Sequence, residues 1–241
     1  MGQALQYTNM ITTVTELLID QGKYFGMPIN DVEKKQADIN FVNSWADDAA
    51  QQLKIAVDRD ILGTIYADPA AENKGLTAGK ISASINLGVT GTPVSLSSTT
   101  ILDKVIELGQ VLDEQNMPET DRWLLLPPWA AAKLKMSPLQ QAYMTGDSTS
   151  PVRNGKIGSI DRFTIYTSNL LASVKDGSDI CYNILGGHKS ALTFASQITE
   201  SELVDNPYDF GKLMRGLQVY GFKVVKPESM FTLYAKIGAE V

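Results

Sequence analysis

Cysteine and histidine are almost missing from this 241-residue chain, which has one of each, Cys181 and His188. A single thiol excludes an internal disulfide and any site built from several thiolates, and a single imidazole excludes zinc held by paired histidines. Basic charge is also short. Lys and Arg number 21 against 27 Asp and Glu, a net charge of -6, which is the wrong sign for a chain that neutralises phosphates along a groove. Long apolar runs are absent too: the longest, Trp123 to Ala132, is broken by Pro127 and Pro128 and is too short to cross a bilayer. No basic residue precedes Lys23 and no apolar region follows Met1, so the start does not read as a secretory signal. Gln6 stands where a myristoylation signal requires Ser or Thr. The expectation is a soluble protein of a reducing cytoplasm with no membrane partner.

What is present is 44% hydrophobic residues with 20% charged, enough to build the core of one large domain or two small ones. From Gln6 to Ile29 the residues Val14, Leu17, Ile19, Tyr24 and Phe25 lack helical period and predict extended chain, with a bend at Gln21-Gly22. From Asn30 to about Asp68 the spacing of Phe41, Trp45, Ala49, Leu53, Val57 and Ile61 predicts one helix of roughly 50 Å, long for a globular protein. The Gly-, Ser- and Thr-rich stretch from Ala70 to Ser98 reads as a surface excursion between two lobes.

Thr100-Ile-Leu-Asp103 predicts a capping box opening a helix that Asn116 and Pro118 end. Arg122–Leu126, Phe163–Thr167 and Asp179–Leu185 predict strands, with a brief helix at Trp129–Lys135 and a turn at Asp176-Gly177. Met144 to Gly158 is rich in turn residues and reads as a loop. Ser190 to Val204 fits strand or helix. Leu217–Val225 and Met230–Ile237 predict a closing β-hairpin.

No constellation specifies catalysis. Gly186-Gly187-His188-Lys189-Ser190 lacks the contiguous Gly-Lys-Ser of a phosphate loop and reads as a strand-exit turn. A hydrolase using His188 would need a serine elbow that the sequence lacks. Glu200, Glu202, Asp205 and Asp209 read as a solvated acidic turn rather than paired catalytic carboxylates, and Cys181 as a small buried hydrophobe. No catalytic residue, metal or organic cofactor is expected.

Four short runs nevertheless match a known pattern in order along the chain. They are Leu17-Leu-Ile-Asp-Gln-Gly-Lys-Tyr-Phe25, Leu112-Asp-Glu-Gln-Asn-Met-Pro118 with Arg122-Trp-Leu-Leu-Leu-Pro-Pro128, Asn154-Gly-Lys-Ile-Gly-Ser-Ile160 leading to Tyr166-Thr-Ser-Asn-Leu170, and Arg215-Gly-Leu-Gln-Val-Tyr-Gly221 through Lys226-Pro227. In these runs the chain resembles the major capsid proteins of tailed bacteriophages with the Hong Kong 97-type fold, from about Gln6 to the C-terminus. The resemblance implies an α+β fold in which residues 1–29 are a partial extended E-loop, the returning strand without its outgoing partner. Residues 30–69 and 186–241 would form a peripheral (P) domain with a long spine helix on a β-sheet, and 70–185 an axial (A) domain.

It further implies a subunit of a phage head, self-assembling into hexamers and pentamers of an icosahedral virion built in the host cytoplasm. Scaffold, portal and decoration proteins would be its other partners, and packaged double-stranded DNA would touch it only weakly. The residues expected at subunit interfaces are Leu17, Ile19, Tyr24 and Phe25 in the first 29 residues and Gly146, Asp147 and Arg153 in the polar loop. The first 29 residues are expected to extend across a neighbour as an unpaired strand. An encapsulin-like compartment shares the fold, and a small α+β hydrolase is the alternative from another class.

Overall fold

The computed structural model describes residues 14–30, 41–137, 158–207 and 211–239. In chain order its strands are β1 (Gln21–Asn30), β2 (Val94–Leu96), β3 (Arg122–Leu126), β4 (Ser159–Ile160), β5 (Phe163–Thr167), β6 (Ser173–Asp176), β7 (Asp179–His188), β8 (Leu192–Asp205), β9 (Gly211–Val224) and β10 (Met230–Ile237). The helices are α1 (Phe41–Leu62), α2 (Ile101–Glu114) and α3 (Pro128–Met136). They form two sheets: a three-stranded antiparallel one ordered β1-β9-β8, and a mixed seven-stranded one ordered β2-β10-β7-β3-β5-β4, with β6 on β7.

The long helix is shorter at its C-terminal end than the sequence pattern suggests. It stops at Leu62, where the Thr64 hydroxyl donates to the carbonyls of Asp60 and Ile61 at 2.9 and 3.0 Å. The chain then turns through a 3-10 helix, Ile65–Ala67, that buries Ile65. Burying Ile65 with Leu171, Leu185, Ala191, Val224 and Met230 favours the turn over a further helical turn. The 22 described residues of α1 still span about 33 Å.

Ala70 to Ser98 is more than a surface excursion. Asn73, Ala78, Ile85, Leu87 and Leu96 are buried, the last four in the main core beside α2 and α3. The Asn73 amide donates to the carbonyls of Glu228 and Met230 at 2.7 and 2.9 Å and accepts from Gln115 at 3.0 Å. A buried amide satisfied on all these sides holds the excursion against the end of α2.

Helix α2 buries Ile101, Val105, Leu108, Val111 and Leu112 as its apolar stripe demands. The expected cap at Thr100 is not made, because the hydroxyl of Thr100 serves Ser97 instead, accepting the Ser97 N–H at 3.0 Å. The helix ends where Asn116 and Pro118 predict. Asn116 takes φ +55°, its N–H reaches the Asp113 carbonyl at 2.8 Å, and the Met117 N–H reaches Leu112 at 3.1 Å, the paired bonds of a Schellman end. Arg122, 1% exposed at the start of β3, locks that end by donating to Pro118 O, Met117 O and Asp113 Oδ1 at 2.7–2.8 Å. Burial raises the Asp113 pKa, but hydrogen bonds from Arg122 and Arg162 outweigh it and hold the carboxyl below its ordinary range.

Strands β3 and β5 fall where the sequence places them, and β7 runs three residues further, through Gly186, Gly187 and His188. These glycines are not a strand-exit turn. A Cβ on Gly186 would collide with the Phe231 ring and one on Gly187 with the Ser229 carbonyl, so they let β10 close onto β7. Residues 217–225 and 230–237 are not a hairpin: β9 pairs β1 and β8, whereas β10 pairs β7 and β2. Met230–Ile237 joins the sheet built from residues 94–188, whereas β9 stays with β1 and β8. Residues 192–205 are strand, with Glu200, Glu202 and Asp205 on it rather than in a turn.

Leu53 lies mid-way along α1, where proline removes one helical hydrogen bond and clashes with the preceding turn at a cost of about 3 kcal/mol or more. Leu53→Pro is expected to lower the melting temperature sharply, and an unchanged melting curve would contradict a continuous helix there.

Candidate functional site

The candidate surface for assembly is the three-stranded sheet with α1 on one face. Alternation along β1 turns Lys23, Phe25, Met27 and Ile29 inward and leaves Tyr24 and Pro28 outward. Register places Phe25 opposite Gly216, which has no Cβ because the Phe25 ring occupies that space. Inside the same layer the Tyr220 hydroxyl donates to Asp60 Oδ2 at 2.8 Å, and Lys23 Nζ lies 2.6 Å from that oxygen. One carboxylate of α1 thus ties the helix to β9 and β1 together. The Lys23 ammonium, followed by the Tyr220 hydroxyl, holds Asp60 below its ordinary carboxylate pKa although partial burial opposes this. Burial, and then the Asp60 charge, push the Tyr220 hydroxyl up. Its ring is buried between Phe194 and Phe222, with ring centres 6.0 and 6.5 Å away.

The outer face carries the chain that precedes β1. The Glu16 carbonyl accepts from Lys223 Nζ at 2.8 Å, and the Leu18 carbonyl lies where a Cβ of residue 221 would be, so Gly221 is required for this crossing. Further along that face Tyr24, 83% exposed, stands beside Leu217 and Glu200 in register, and Arg215 pairs with Glu202 across the strands at 2.6 Å. A groove of about 330 Å³ runs between Tyr24, Leu217, Arg215 and the two glutamates.

The expected interface residues separate into four sets. Tyr24 is exposed on this face; Leu17 and Ile19 are half-buried, and Phe25 is turned inward against Gly216. Gly146, Asp147 and Arg153 lie outside the described residues. The expectation that residues up to Ile29 form an unpaired strand is corrected for Gln21–Asn30, which pair with β9 of the same chain along their full length. The paired backbone and the buried Ile29 explain why β1 stays at home. Asp60, Tyr220, Gly216 and Gly221 carry this site and were not singled out from the sequence, although three of them stand in the Arg215 to Gly221 run.

His188 Nδ1 accepts the Ser190 N–H at 3.2 Å and lies 2.8 Å from the Ser190 hydroxyl. Among the described residues neither ring nitrogen hydrogen-bonds a carboxylate, Asp121 being paired with Lys189, and no group of acidic, histidine or cysteine side chains is arranged to hold a metal ion. No described helix is long and apolar enough to span a membrane.

The model of the family described as phage capsid protein matches residues 14–233. The chain belongs to that family. Among solved structures, this capsid protein is similar to a chain of Mycobacterium phage Che8, with 25% identity over 90% of this chain and 71% of that one and a TM-score of 0.69. The capsid of cyanophage P-SCSP1u shares 15% identity over 98% and 81% of the two chains, TM-score 0.68. The SrpI encapsulin of Synechococcus elongatus PCC 7942 shares 7% over 92% and 76%, TM-score 0.61, a likeness of fold alone. Comparison with curated protein sequences finds no match. The fold is the α+β, Hong Kong 97-type capsid fold that the sequence resemblance implies, and the protein is a major capsid protein.

Two measurements probe this site. Gly221→Ala is expected to force residues 16–19 off the sheet and cost about 1–3 kcal/mol, read as a lower denaturant midpoint; an unchanged midpoint would contradict the crossing. Because the folded pKa of Asp60 lies below its ordinary value of 3.8, its contribution is fully present above that value and is lost as pH falls through the folded one. The stability gap between wild type and Asp60→Asn is therefore expected at pH 7 and should shrink toward pH 2; a gap constant with pH would contradict the clasp.

Proposed function

We propose that this capsid protein forms the shell of a tailed-phage head, assembling as hexamers and pentamers into an icosahedral virion around double-stranded DNA. The match to the capsid family over residues 14–233 carries this reading. In it, α1 with β1, β8 and β9 is the peripheral layer, and residues 70–188 with β10 are the axial lobe. The outer face around Tyr24 and Leu217 meets a neighbouring copy, as do Gly146, Asp147 and Arg153. The net charge of -6 suits a wall that lines a cavity full of DNA without adhering to it. The role is structural, with no reaction catalysed and no cofactor held. Scaffold, portal and decoration proteins complete the partner set, and assembly takes place in the host cytoplasm.

A second reading, an encapsulin-like compartment, is favoured by the likeness of fold to the SrpI encapsulin. Purified protein examined by sedimentation and negative-stain microscopy is expected to form ring-shaped capsomers or megadalton shells. A chain that stays at 26.3 kDa under all assembly conditions would overturn both readings, and shells found loaded with a protein cargo instead of DNA in the producing cell would select the second.

A further inference from the structure

Ile81 is 80% exposed, yet the loop that carries it is firmly held. Glu114, the last residue of α2, accepts the N–H groups of Ile81 and Ser82 on one oxygen at 2.7 and 2.9 Å and the Gln110 amide on the other at 2.9 Å. Burial raises the Glu114 pKa, but these donors outweigh it and bring the carboxyl down to about 2, so the anchor stays charged well into acid. Below the tip Ala78 and Ile85 exchange backbone hydrogen bonds at 2.8 and 3.0 Å, and Ala83 is kept at φ +45°, where a non-glycine residue is strained. A β-branched side chain therefore stands in water on a preorganised tip, beside Lys80, which has no ion pair among the described residues. Docking such a tip loses little conformational entropy.

A matching recess exists on the same chain. A groove of about 410 Å³ is lined by Tyr66, Gly75, Val89, Val174 and Tyr234, with Val89 and Val174 39% and 46% exposed. Asp176 stands at its edge, its carboxylate accepting from the Tyr234 hydroxyl at 3.2 Å and the Gly91 N–H at 2.6 Å, and it offers negative charge to Lys80. The groove's own lysine, Lys74, is turned onto the Ala67 carbonyl at 2.7 Å.

Tip and groove lie on opposite faces of the seven-stranded sheet. Along β10, Phe231, Leu233 and Ala235 pack into the core beneath α2 and α3, whereas Thr232 and Tyr234 point the other way and line the groove. A tip seated in the groove of the next copy without the reverse contact is head-to-tail and builds a ring or an open chain.

We propose that Ile81 of one copy seats in the groove between Val89, Val174 and Tyr234 of a second copy, with Lys80 meeting Asp176. The proposal rests on the self-assembly reading above and assigns it one specific contact. The test places the photo-crosslinker benzoylphenylalanine at position 81 in assemblies of mixed light and heavy copies. Crosslinks between copies at residues 66, 75, 89, 174 or 234 are expected; particles or rings that form without them, or with crosslinks elsewhere, overturn the contact and leave the capsid reading intact. In parallel, Ile81→Asp is expected to keep the wild-type circular dichroism spectrum and lower the yield of rings or particles at least about tenfold. A normal yield overturns the contact, and a wild-type chain that forms no assembly overturns the contact and the capsid reading together.

Discussion

Strand β9 is paired by β8 along nearly its whole length and by β1 as far as Tyr220, and it carries on one side the residues that receive α1 and on the other those that receive residues 16–19. Two of its positions, Gly216 and Gly221, have neighbours where a side chain would begin: the Phe25 ring inside and the Leu18 carbonyl outside. Between them Tyr220 reaches Asp60, which also holds Lys23. Helix, inner strand and N-terminal segment are therefore positioned by one strand whose sequence is constrained at alternating sites on both faces. Without β9 the outer strands β1 and β8 would lose their common partner, and an unpaired strand recruits another chain.

The second half of the architecture rests on a buried guanidinium. Arg122 donates to the carbonyls of Met117 and Pro118 in the turn that follows α2 and pairs with Asp113, so the helix end, the turn at Asn116 and the first residue of β3 form one unit. That unit explains why Leu112 to Pro118 and Arg122 to Pro128 occur together as a pattern: one supplies the acceptors and the other the donor. The same helix end extends outward through Glu114 to the Ile81 loop, so one rigid element sets both core packing and a feature of the surface.

Much of the fold was legible because its local signals were unambiguous. Short apolar runs bounded by stops placed β3 and β5, and Asn116 with Pro118 placed the end of α2. What failed depended on partners distant in sequence. The β-rich runs at 217–225 and 230–237 follow one another closely, yet Tyr220 is drawn to α1 and Leu233 to the main core, so they enter different sheets. Thr100 fits a cap by spacing, but Ser97 three residues earlier competes for its hydroxyl. Residues 192–205 have exposed side chains on both faces, Thr193 and Phe194 for example, so no alternation announced a strand. Of the candidate site, Tyr24 was legible as an apolar residue in extended chain. Gly216 and Gly221 were not, since a glycine reveals the need for close approach only once the approaching ring or carbonyl is seen.

Amide hydrogen exchange of the isolated subunit tests the central claim, that β9 gathers β1 into its own chain, most directly. The β1 amides between residues 22 and 29 that face β9, which are alternate residues because β1 is an edge strand and Pro28 carries no N–H, are expected to be protected before any assembly, as are the β9 amides bonded to them within 212–219. Exchange of β1 at the rate of an unstructured peptide while β9 stays protected through β8 would show that β1 is not held by its own chain and would contradict the account.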